Sequence, residues 1–86
     1  MSSEISRLKN LGGKSQIMLA DIGVHTRAQL AEMGSLEAYK RVRLAGHKAN
    51  IIFVFAIEGA LIDTHWNNLP PGMKEDLKRR LEEEAS

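Results

Sequence analysis

No cysteine occurs among the 86 residues. That excludes a disulfide, a thiolate metal site and a cysteine nucleophile. Compaction must then come from helix packing, helped where it occurs by self-association. Long apolar runs are missing too. The longest, residues 51–57, has seven residues, against about 20 for a bilayer-spanning helix. Met1-Ser2-Ser3-Glu4 shows no basic region followed by an apolar run, so no signal peptide is read and the expected location is the cytoplasm. Charge of one sign is scarce: 12 Lys and Arg face 11 Asp and Glu, a net +1. Proteins held on nucleic acid mainly by electrostatics carry a larger excess, so any such contact here must be local. No segment alternates apolar and polar residues over strand length, and there are no repeats, low-complexity segments or interdomain linkers. One domain over residues 1–86 is expected, with residues 82–86 as a fraying tail. A chain this short buries roughly 60–65% of its unfolded surface, which leaves a narrow margin of stability.

What is present reads as helices joined by short connections. Ser3 is placed to cap a first helix with Ile5 and Leu8 inward, ending at Asn10-Leu11-Gly12-Gly13. Ser15 would cap a second helix over residues 16–22, with Gly23 suited to its C-terminal end. Thr26 opens a third, which Gly34 stops. Ser35 would cap a fourth, with Leu36, Tyr39 and Val42 on one stripe, closed by Gly46. Asn50 caps the longest, from Ile51 to about His65. Pro70-Pro71 starts the last, where Met73, Leu77 and Leu81 recur at i, i+4, i+8. There Glu75–Arg79 and Asp76–Arg80 are spaced as i, i+4 pairs.

The helix from Ile51 is apolar on nearly every side, so it is expected as the central pillar or as part of a dimer face. Gly59 inside it points to a close helix crossing. Glu58 either lies on a narrow polar edge or pairs internally with an arginine. Trp66 reads as a core anchor at a corner, with a binding hot spot as the alternative.

The three histidines are too scattered for a metal site, no nucleophile and base are paired, and no cofactor is expected. An enzyme is therefore the least supported class. Two features suggest other chemistry. Gly12-Gly13-Lys14-Ser15 resembles the end of a phosphate-binding P-loop, but that motif needs glycine where Leu8 stands, and a preceding strand. A helix-hairpin-helix turn fits better. Its usual series is leucine, proline, glycine, an aliphatic residue and glycine. Here the series is Leu8, Lys9, Asn10, Leu11, Gly12, with Asn10 suited to a left-handed backbone. Asn10, Gly12, Gly13, Lys14 and Ser15 are the candidate DNA phosphate-binding residues: amides at a helix start face the anion and Lys14 adds charge. The competing reading is a plain tight turn. The second feature is a basic set, Lys40, Arg41, Arg43 and Lys48, with His47. It reads either as a solvated face or as a nucleic-acid or partner patch.

Taken in order, these pieces resemble the C-terminal domain of the TfoX/Sxy family, bacterial regulators of DNA-uptake competence. The resemblance rests on Asn10-Leu11-Gly12 with Lys14-Ser15, on Met18-Leu19 with Ile22-Gly23, and on Leu36-Glu37-Ala38-Tyr39. It extends through Ala56-Ile57-Glu58-Gly59-Ala60-Leu61 and Trp66-Asn67-Asn68-Leu69-Pro70-Pro71. It implies an all-α, SAM-like bundle of five to six helices on a helix-hairpin-helix core, and a role in regulating competence genes beside another transcription factor. Gly13 stands where the family often has proline, and members commonly carry a further N-terminal domain. The family supplies no catalytic residues. A protein-interaction or dimerisation module without direct DNA contact is the alternative function, and no membrane contact is expected.

Overall fold

Helix signals in the sequence are spaced by only a few residues, so the elements must pack as neighbours. A computed structural model describes residues 4–85. It contains α1 (Gly13–Asp21), α2 (Arg27–Met33), α3 (Ser35–Leu44), α4 (Ile51–Leu61) and α5 (Met73–Ala85), with 3-10 turns at Ile5–Arg7 and Trp66–Asn68. No strand occurs among the described residues. The all-α expectation is met.

Several local signals act as the sequence reads. Thr26 and Gln29 form a reciprocal capping box at the start of α2. Asn50 caps α4 through Ile52 N at 2.9 Å. Gly23 follows α1 at φ 83°, where Val24 N reaches back to Leu19 O at 2.9 Å.

Other signals are overridden. Among the described residues the expected first helix is a 3-10 turn, Ile5–Arg7, which ends where Leu8 turns extended at ψ 147°. Ser3 and Ser86 lie outside the described residues. Gly12, not Ser15, is the N-cap of α1, so the helix begins three residues earlier than the serine predicts. Ser35 does not cap α3 either; Gly34 stands at that position. Ser35 is instead 2% exposed and donates its hydroxyl to Glu58 at 2.5 Å. Glu58 is thus half-buried and satisfied by a serine, which neither reading of it anticipated.

The apolar α4 is the pillar. Its buried residues Phe53, Ala56, Ile57 and Ala60 join Ile5, Leu19, Leu30 and Val42 in the main core. On its other side Val54 and Phe55 meet Leu77 of α5 in a second, smaller cluster. The helix stops at Leu61, short of His65. Asp63 takes a left-handed φ of 55°, and Thr64 N closes the end on Gly59 O at 2.7 Å. α5 starts at Met73, after Pro70-Pro71-Gly72 has turned the chain. On α5, Asp76 takes both arginines: Arg80 at 3.1 Å as spaced, and Arg79 in place of Glu75.

Candidate functional site

Asn10 decides where the glycine turn sits. Its backbone is left-handed, φ 71°, a conformation asparagine tolerates better than most residues. That bend aims the carboxamide inward. Nδ2 donates to Thr64 O at 2.9 Å and Ala56 O at 3.3 Å, while Oδ1 accepts from Trp66 N at 3.1 Å. Three hydrogen bonds therefore fasten the turn to the C-terminal end of α4. Gly59 makes the fit possible: a Cβ there would strike Thr64 O and Asn10 Nδ2, and crowd Trp66 N at 3.3 Å. The close approach that Gly59 signals is thus by a side chain and a returning loop, not by another helix.

Beyond Asn10 the chain turns outward. Leu11 is buried, whereas Gly12, Gly13 and Lys14 are exposed and Ser15 is half-buried. The first α1 hydrogen bond runs from Gln16 N to Gly12 O. The amides of Gly13, Lys14 and Ser15 thus precede the helical ladder. No side chain caps this end and its first turn holds no acidic residue. A Cβ on Gly12 or Gly13 would have nothing within 4 Å, so the approach is open. The helix dipole, free amides and Lys14 all favour an anion there. Asn10 contributes by positioning, its side chain being committed inside.

The structure divides the basic set. Arg41 Nε is 2.6 Å from Glu37 Oε2, and this guanidinium holds the Glu37 carboxyl below its usual range. Both face a shallow groove shared with Glu32 and Met33, where the Glu32 and Glu37 carboxylates oppose an approaching phosphate. Arg43 hydrogen-bonds Tyr39 Oη at 2.8 Å and lies over its ring at 5.6 Å. Lys40 and Lys48 are exposed. Helical rotation places Lys40 beside Arg43 and turns Arg41 away. At the end of the set, His47 Nε2 meets Asp21 Oδ2 at 2.6 Å. Asp21 is the last residue of α1, so this end lies roughly 10 Å along the helix from Lys14. The turn and the end of the basic set are therefore held apart.

Two contacts escape sequence reasoning. Arg27 offers its amide to Glu4 Oε1 at 3.1 Å and its Nη2 to Leu61 O at 2.5 Å, joining the N-terminal turn, α2 and α4. Lys74 places its ammonium 5.1 Å from the Trp66 ring and 5.6 Å from that of Phe55. Neither leaves a local signal, since the partners lie far apart in the chain. Trp66 is half-buried at its corner and stacked on His65.

Residues 1–81 match the family described as the TfoX C-terminal domain. The chain belongs to the TfoX C-terminal domain family. This TfoX C-terminal domain also superposes on a crystal structure described as an uncharacterized protein from Listeria monocytogenes, with a TM-score of 0.85 at 27% identity. The likeness covers 95% of this chain and 93% of that one. No curated protein matches the chain. Among the described residues, no helix of this TfoX C-terminal domain is long and apolar enough to cross a membrane.

Proposed function

We propose that the domain is a non-enzymatic, cytoplasmic regulatory module that contacts DNA backbone phosphate through residues 12–15 and so serves transcriptional control, competence genes included. The observation that carries this reading is the exposed start of α1, free of any acidic residue in its first turn and bearing Lys14. The Asn10 hydrogen bonds hold that start rigidly on α4. Preformed geometry matters because ordering a loop on binding costs affinity. The test is an NMR titration of the labelled domain with a short duplex at low and moderate salt. Amide shifts concentrated at residues 12–15 and fading as salt rises are expected. An unchanged spectrum at low salt would sink the reading.

A second reading, a contact module for a transcription-factor partner or a second copy, is favoured by two exposed aliphatic residues. Leu44 is 81% exposed and Ile17 64%. α4 is largely filled by its own chain, so these side chains are the better candidates for an interface. If Leu44→Lys and Ile17→Lys leave partner and self-association unchanged in light scattering and pull-down, this reading fails.

A further inference from the structure

We infer that α5 is an exchangeable helix, and that the groove it covers also takes the α5 of a second copy of this chain. Three observations carry this. First, α5 stands outside the main core: of its apolar stripe only Leu77 is fully buried, at 4% exposed, and it meets Val54 and Phe55 in the separate small cluster. Second, what specifies its seat is a side-chain clasp that any copy of α5 reproduces. Lys74 lies over the Phe55 and Trp66 rings and donates to Asn67 Oδ1 at 3.3 Å. Third, the fold-back depends on a single backbone conformation. Leu69 is extended, ψ 151°, as a residue before proline prefers, and Pro70 and Pro71 have no freedom at φ. Gly72, at φ 84°, then reverses the chain so that Met73 N reaches Pro70 O. If Gly72 relaxes to negative φ, the stiff proline segment carries α5 away from its own groove, and the same Met73, Lys74 and Leu77 contacts form on a neighbour.

Gly72 is a clean lever, because a Cβ there meets nothing within 4 Å. Gly72→Ala adds only that Cβ and so alters the φ preference alone, and it favours the exchanged dimer on the order of ten-fold per hinge. Light scattering should then report a dimer whose α5 amides stay protected from hydrogen exchange. A monomer with unprotected α5 amides would overturn the inference. The unaltered hinge gives an independent check. The chain lacks cysteine, so Lys78→Cys accepts one spin label on the exposed side of α5. Mixed at millimolar concentration with unlabelled-spin, isotope-labelled chain, it should broaden the Trp66 indole resonance of the other copy. Absence of that broadening would also overturn the inference.

Discussion

Gly59 and Asn10 form one device made of two residues: the glycine leaves the space and the carboxamide fills it. Replacing Gly59 by alanine tests which of two effects wins. Alanine favours a helix interior by about 1 kcal/mol over glycine. The added Cβ, however, strikes Thr64 O and Asn10 Nδ2, and overpacking with broken hydrogen bonds costs about 2–4 kcal/mol. Gly59→Ala is therefore expected to lose about 1–3 kcal/mol, read as a lower urea midpoint. Asp63 offers the opposite case. It holds a left-handed φ at the carboxyl end of α4, where both its Cβ and its negative charge are unfavourable. Asp63→Gly is expected to stabilise by about 0.5–1 kcal/mol on the same measurement. At this scale the sequence was half legible. Asn10 is readable as a left-handed turn residue. Its partners are not, because Ala56, Thr64 and Trp66 lie 46, 54 and 56 residues away.

Among the elements, legibility followed how local each signal is. The Thr26 capping box and the Asn50 cap involve neighbours two or three residues apart, and both formed. Ser35 has the same chemistry but was drawn into the interior by Glu58, a tertiary effect no local rule contains. Lys40, Arg41, Arg43 and Lys48 look like one patch in a line of text, yet helical rotation and the Glu37 and Tyr39 contacts separate them. α5 permits a pH test. The Arg79 hydrogen bond, then the Arg80 charge, hold the Asp76 carboxyl below its ordinary 3.8. A carboxyl lowered in the fold stabilises it above the ordinary value and loses that effect as pH falls through the lowered one. NMR titration should find Asp76 below 3.8, and Arg79→Ala or 1 M salt should raise its midpoint.

The whole molecule has a Cα radius of gyration of 12.1 Å, matching the roughly 12 Å of a compact chain this long. Its net +1 conceals a polarity. The first fifty residues carry eight Lys or Arg against four Asp or Glu; the remaining thirty-six carry four against seven. A DNA contact at the α1 turn would thus be steered by a local field, with exposed Lys9 and Lys14 as the nearby cations. Two neutralised phosphates give a slope of log K against log salt of about −2. A slope of about −4 or steeper, measured by fluorescence anisotropy, would show that the α3 cations bind as well. The Asn10 hydrogen bonds also set an order of events during synthesis. A growing chain makes Asn10 56 residues before Trp66, a delay on the order of 3–11 s at about 5–20 residues per second. Until then the glycine turn has no anchor, so a nascent or prematurely ended chain presents α1 without its fixed seat. The amino-terminal end of α1 is fastened only when most of the domain has left the ribosome, so this part of the fold is completed late.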